Sequence, residues 1–268
     1  FQELKLSLDR IFEIRDSAAE NQYDDTHKVV DPKELHCLKI NNLSFKYYNN
    51  SLPVLNNINL QVKPGSFTAF VGQSGSGKTT LMKLLLGFYK IPEDSIHIGD
   101  DDFCKINLTE WRKQCGVVLQ DSLLFSDTVI SNITESDIEP DYDRYLQAIS
   151  HAGILEFIVS LPIGHQTKIG PNGVGLSQGQ KQRMFLARMI YKSPNYLFLD
   201  EATNSLDSET EKKIMDNISN NFSDKTRIVI AHRLNSVINA DNIFIFHAGE
   251  IVEEGNHKHL LSLGGYYY

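Results

Sequence analysis

The chain has 268 residues, 41% of them hydrophobic and 22% charged, enough to bury a sizeable core and close to the averages of globular domains. That composition excludes a disordered chain, a collagen repeat and a disulfide scaffold. No stretch reaches the roughly 18 consecutive apolar residues of a membrane-spanning helix, and a formal charge of −8 argues against a broad basic face for nucleic acid.

Residues 1–19 carry Leu4, Leu8, Ile11 and Phe12 at helical spacing among charged residues, the pattern of a short amphipathic helix. Residues 20–34 turn polar (Asn21, Asp24, Asp25, Asp31, Pro32), which predicts a linker, with the folded domain starting near Leu35 and running to the end at Tyr268. The start at Phe1 rather than Met, without a signal-peptide layout, reads as a piece of a longer protein. Residues 38–40, 43–47, 58–62 and 67–71 are strand-like and punctuated by turn residues, so a small antiparallel sheet leads into one buried strand. Further buried strands are expected at 196–200, 227–231 and 243–246. Helices between strands predict a parallel α/β core. Cys37, Cys104 and Cys115 lack C-x-x-C spacing and cannot all pair, so a reducing compartment is the expectation.

The stretch from Gly72 through Gln73, Ser74, Gly75, Ser76 and Gly77 to Lys78 and Thr79 fits G-x-x-x-x-G-K-[ST] between an apolar strand and a helical run, the context a phosphate loop requires. Backbone N–H groups must turn inward around phosphate, and side chains at Gly72, Gly75 and Gly77 are expected to obstruct that nest. Lys78 can reach the β and γ phosphates, and the Thr79 hydroxyl can complete the coordination of Mg²⁺, a cation that takes phosphate, hydroxyl and water oxygens. With Thr80, these residues form the expected nucleotide-binding set. The loop lacks G-x-G-x-x-G, so it is not a dinucleotide fingerprint.

The apolar strand at 196–199 ends in Asp200 and Glu201. Ligands gather at the carboxyl ends of strands in an open parallel sheet, which puts both carboxylates beside the phosphate loop. Adjacent residues at a strand end point in different directions, so Asp200 can hold Mg²⁺ while Glu201 faces an attacking water. The plainer alternative is a pair of acids that caps the strand and starts the next helix.

Gly175, Leu176, Ser177, Gln178, Gly179, Gln180, Lys181, Gln182 and Arg183 form a segment that resembles the L-S-G-G-Q signature of the nucleotide-binding domain of ATP-binding cassette (ABC) transporters, with Gln178 in place of the usual glycine. The resemblance covers about residues 38–262 in the family's motif order. It implies an α/β fold: a P-loop NTPase (RecA-like) core, an antiparallel β subdomain, and an inserted α-helical subdomain at about 121–192. Ser177 with Gln180 is also a capping box for a helix from Gln178 to Tyr191, stopped by Ser193 and Pro194. In the family that helix start, here Ser177, Gly179 and Gln180, faces the γ-phosphate held by a partner domain.

The remaining positions follow from the resemblance, each beside a plainer reading. Gln120 matches the glutamine that touches Mg²⁺ or the attacking water, against a plain strand-end glutamine. Tyr47 matches the aromatic that stacks on adenine, against a core tyrosine aligned with Leu43 and Phe45. Asp207, after Ser205 and Leu206, matches the loop that crosses to the partner, against a helix-capping turn. His232 matches the switch histidine at the γ-phosphate, against a satisfied polar side chain. His257, Lys258 and His259 have no third metal ligand nearby and read as solvated surface.

The segments at 161–170 and 106–112 are similar to exporters, although Lys168 stands where exporters often carry glutamate. The amphipathic lead-in resembles the segment that follows the last transmembrane helix, and the motif wording is most like exporters of peptides and bacteriocins, some of which carry a peptidase domain. The reading is an ATPase at the cytoplasmic face of a membrane, binding ATP and Mg²⁺. Its expected partners are a second nucleotide-binding domain in a homodimer and a transmembrane domain of the same polypeptide, with no nucleic acid. The rival is a soluble cassette ATPase acting on DNA or ribosomes, whose long heptads, paired cassettes or basic arm are not visible; a pure nucleotide sensor is expected to lack Glu201 or Ser177.

Overall fold

The computed structural model describes residues 27–48, 52–135, 137–170, 173–231 and 236–268, together with Lys5, Leu8, Arg10, Ile11, Phe12 and Arg15. In chain order the elements are β1 (Leu38–Phe45), β2 (Leu55–Val62), β3 (Phe67–Gly72), α1 (Lys78–Leu85), β4 (Ile96–Ile98), β5 (Asp101–Asp102), α2 (Leu108–Gln114) and β6 (Cys115–Val118). A helical region follows: β7 (Asp127–Thr128), α3 (Val129–Ile133), α4 (Tyr142–His151), α5 (Leu155–Ser160), β8 (Lys168–Ile169) and α6 (Gln178–Lys192). The chain closes with β9 (Tyr196–Asp200), α7 (Ser208–Asn221), β10 (Thr226–Ile230), β11 (Asn242–His247), β12 (Glu250–Gly255) and α8 (His257–Leu263).

The central sheet runs β12-β11-β3-β10-β9-β6, parallel except for the β11–β12 pair. Its inner strands are short apolar runs buried on both faces, as parallel sheets require. Leu197, Leu199 and Val229 project into one apolar layer with the helical region, while Phe198, Ile228, Ile230 and Phe70 project into a second layer with α1 and the antiparallel sheet. Full burial of each such side chain is worth about 1.5–3 kcal/mol. The antiparallel sheet runs β2-β1-β4-β5, and its two long strands, β1 and β2, mix buried and exposed residues because only one face is covered. The architecture is an α/β core with an antiparallel sheet and a helical region, the arrangement that the resemblance implies. Helix α6 packs on α3 and α4 on one side and on β6 on the other, so the helical region rests directly on the core.

The fold departs from the sequence reading at two places. Residues 27–34 are not linker: Lys28 N–H donates to Lys105 O at 2.8 Å, Lys28 O accepts from Asn107 N–H at 2.9 Å, Val30 is buried, and Val30 O accepts from Gln114 Nε2 at 2.9 Å. The packed chain therefore starts before Leu35, held by backbone bonds that polar side chains do not advertise. Strands β4, β5, β7, β8 and β12 are absent from the sequence reading; the first four are only two or three residues long, and β12, an edge strand, carries Glu250, Glu253 and Glu254 where apolar alternation is the usual signal. The lead-in helix over residues 1–19 lies largely outside the described residues; Lys5, Leu8, Arg10, Ile11, Phe12 and Arg15 are helical, and Leu8, Ile11 and Phe12 are exposed. All three cysteines are free thiols. No described helix is long and apolar enough to cross a membrane.

Candidate nucleotide site

Strand β3 ends at Gly72 and the chain turns through residues 73–77 into α1, whose N-cap is Gly77 in the left-handed conformation with φ +103°. A Cβ at Gly72 would lie 2.2 Å from Phe246 O, and one at Gly77 would lie 2.5 Å from Leu55 Cδ2. Both positions are closed to a side chain by the protein's own packing, an exclusion that comes on top of the expected need of the phosphate nest. Gly75, φ +78°, has no atom within 4 Å of a Cβ position and is the one that faces open space. Ser74 is exposed, whereas Ser76 is buried. Lys78 is buried, and its Nζ donates to Gly72 O at 2.8 Å, Gln73 O at 2.7 Å and Ser76 Oγ at 3.2 Å. Burial lowers its pKa, opposed by the charges of Asp200 and Glu201.

Asp200 closes β9 and is buried, with Oδ2 accepting from Thr79 Oγ1 at 2.7 Å. Its Oδ1 is buried without a hydrogen-bond partner. Burial raises the Asp200 pKa, and the Thr79 hydroxyl pulls it back. An orphaned carboxylate oxygen beside a hydroxyl is a hard-oxygen donor pair that fits Mg²⁺, and Gly75 leaves room for phosphate next to it. Glu201 follows with φ +52°, a conformation uncommon for a residue with a side chain, which turns it away from the strand direction. Its N–H donates to Ile230 O at 3.2 Å, and its Oε2 accepts from Asn204 Nδ2 at 2.6 Å.

Gln120, exposed just past β6, lines a cleft of about 220 Å³ with Asp200, Glu201, Asn204, Ser205 and Gln178. Tyr47 stands beyond the end of β1, half-buried. Its ring meets Phe45 and Tyr89 edge-on, each at 5.2 Å between centroids, and its hydroxyl bonds the buried Thr80 Oγ1 at 3.0 Å. Thr80 thus anchors Tyr47 from within α1.

The signature segment starts α6 with the expected capping box: Ser177 N–H donates to Gln180 Oε1 at 2.8 Å and Gln180 N–H to Ser177 Oγ at 3.2 Å. Ser177 is exposed, and Gly179 lies close to the loop after β9, where a Cβ would stand 3.2 Å from Ser205 O. Asp207 caps α7 by accepting from Thr210 N–H at 2.9 Å, a bond that also lowers its pKa. Among the described residues, no hydrogen bond or ion pair joins Ser177, Gly179, Gln180 or Asp207 to residues 72–79. The chain brings Thr79, Lys78, Asp200, Glu201 and Gln120 to one end of the sheet, with Gln178 of the signature on the cleft that Gln120, Asp200 and Glu201 line. His232 lies outside the described residues. Sequence reading passed over Asn204 and gave Gln182 no role of its own within the signature segment; both bond Glu201.

Residues 55–204 match the family described as ABC transporter. The ATP-dependent lipid A-core flippase of Syntrophus aciditrophicus (strain SB) is 42% identical, over 88% of this chain and 39% of the flippase. The Alpha-hemolysin translocation ATP-binding protein HlyB of Escherichia coli is 39% identical, over 98% of this chain and 37% of that protein. Among solved structures, a bacterial Atm1-family ABC exporter with ATP bound is similar with a TM-score of 0.89 and 33% identity, over 99% of this chain and 46% of that one. The chain spans less than half the length of each of these relatives.

Proposed function

The chain belongs to the ABC transporter family, whose ATP-binding domains hydrolyse ATP to power transport, and from that premise we propose that it is the ATPase module of an exporter. It pairs with a second copy around two ATP–Mg²⁺ and acts on a transmembrane domain of the same polypeptide at the cytoplasmic face of a membrane. Residues 121–192 form its helical subdomain. The observation that carries the reading is the end of β9: a buried Asp200 bonded to Thr79 with one oxygen to spare, followed by a Glu201 turned off the strand axis.

The roles we assign to Thr79, Asp200 and Glu201 are supported by that geometry, and the others by the family resemblance. The loop amides and Lys78 bind the phosphates, with Lys78 exchanging its bonds to Gly72 O and Gln73 O for phosphate oxygens. Thr79, Asp200 and Gln120 would hold Mg²⁺, which when bound neutralises charge on the phosphate oxygens. Glu201 accepts the proton of the attacking water and His232 bonds the γ-phosphate. Tyr47 offers a ring to adenine, while Ser177, Gly179, Gln180 and Asp207 serve the partner's nucleotide, the helix start acting as an anion site.

Glu201→Gln tests the assignment, because it keeps every binding group and removes the base. Turnover is expected to fall by about 10²- to 10⁴-fold while ATP affinity holds and an ATP-bound dimer accumulates on size-exclusion chromatography. Turnover at the wild-type rate removes Glu201 from the role.

For the cargo we favour a polypeptide, supported by the similarity to the hemolysin translocator over 98% of the chain, lead-in included, against 88% for the flippase. Stimulation of the full transporter's ATPase by unfolded polypeptide and not by lipid is the expected outcome; the reverse selects the lipid reading.

A further inference from the structure

Helix α6 carries a side chain one turn beyond the signature whose amide is used at both ends. Gln182 Nε2 donates to Glu201 O at 3.2 Å, and Gln182 Oε1 accepts from Ser205 N–H at 2.9 Å. Both partners are backbone groups of the loop that starts at Glu201 and ends at the Asp207 cap. Side-chain bonds within and beyond that loop restrain it further: Asn204 Nδ2 to Glu201 Oε2 at 2.6 Å, and Thr203 Oγ1 to the buried Glu211 at 2.9 Å. The backbone of α6 also presses on the loop at Gly179, where a Cβ would meet Ser205 O at 3.2 Å.

An amide is suited to this place because one terminal group both donates and accepts. A carboxylate keeps the bond from Ser205 but faces Glu201 O with a second acceptor. A thioether of similar length keeps the packing and loses both bonds.

We infer that Gln182 is a positioning residue that ties the start of α6 to the backbone of Glu201, so that a shift of the signature on the partner's nucleotide moves the base at this chain's own. The inference rests on the roles given above to Glu201 and Ser177. It gives the two nucleotides of a dimer a short physical connection within each chain: signature helix, Gln182, Glu201. The side chain that makes it touches neither nucleotide.

The test compares Gln182→Met and Gln182→Glu with the parent in the full chain, reading kcat, KM for ATP, the Hill coefficient for ATP and thermal stability, with Glu201→Gln measured in parallel. Gln182→Met is expected to lower kcat by about 10- to 100-fold, the scale of a base displaced by about 1 Å, with KM within about twofold. The Hill coefficient should fall toward one. Gln182→Glu, which keeps only the bond from Ser205 and sets an acceptor against Glu201 O, should lose at least as much. A Gln182→Met protein with parental kcat and Hill coefficient overturns the inference and leaves the Glu201 assignment intact. So does a loss of kcat that follows the loss of folded protein equally in both variants. Parental turnover by Glu201→Gln overturns the base assignment, and the inference with it.

Discussion

The phosphate loop and the signature start are both glycine-containing helix entrances, yet the chain treats them in opposite ways. At the first, Ser76 and Lys78 are buried, the ammonium is held by three atoms of its own loop, and Gly72 and Gly77 are locked against Phe246 and Leu55. At the second, Ser177 and Gln178 are exposed, and the Ser177 hydroxyl accepts from Gln180 N–H in a capping box. One entrance is finished by its own chain and the other is exposed, as the proposed half-site for a partner requires. A capping box already satisfies the local N–H of Gln180, so the amides that remain at the helix start are free to face an anion.

The sharpest way to break this comparison is to disable one entrance in each of two proteins. Lys78→Ala and Ser177→Arg are each expected to be inactive alone, because every homodimer site then lacks one half. Mixed in equal amounts, random pairing gives one intact site in half of the dimers, so up to about a quarter of the parental ATPase should return, less to the extent that the second site positions the base, and rising with protein concentration. If both entrances served one chain's nucleotide, mixing would restore nothing at any concentration.

A smaller effect separates packing from ligand contact within the phosphate loop. Gly72→Ala drives a Cβ to 2.2 Å from Phe246 O and is expected to lower the melting temperature steeply. Gly75→Ala meets no atom, so its stability cost should stay near the left-handed strain of about 1–2 kcal/mol, while ATP affinity falls because the methyl enters the phosphate space. Equal melting temperatures for the two variants would leave the phosphate nest as the only demand on Gly72.

The contrast also explains what the sequence could convey. The phosphate loop, the β9 carboxylates and the α6 cap were legible because each is written in consecutive residues with a fixed local geometry. The buried faces of β3, β9 and β10 were legible as apolar runs. Val30 was not, because its burial depends on Lys28 pairing with Lys105 and Asn107, residues nearly eighty positions away that no local pattern connects. The bond from Tyr47 to Thr80 and the double bond of Gln182 to the Glu201 loop were hidden for the same reason: each joins elements that only the folded sheet brings together. Glycine is a special case. The motif marks where it is required, while the structure alone tells which atom excludes the side chain.

The smallest expected effect concerns Asp207, which the fold uses as a helix cap and the proposed function uses at the partner's nucleotide. The Thr210 N–H holds its carboxyl below the usual carboxylate range. A depressed pKa means that the unfolded chain binds the proton more readily, so the ionised cap stabilises the fold above the ordinary carboxylate value. That contribution disappears as pH falls through the lower native value. Asparagine is as good a cap as aspartate and has no proton to take up, so Asp207→Asn should melt close to the parent at neutral pH and lose slightly less stability on acidification. If capping is its whole task, ATPase activity should match the parent as well. The outward role predicts a different pairing: unchanged melting at neutral pH with a reduced ATPase, restored by tethering the Asp207→Asn chain to a parental chain at the site that the parental Asp207 serves. A melting temperature and an ATPase rate that fall together would leave Asp207 as a cap and remove it from the half-site.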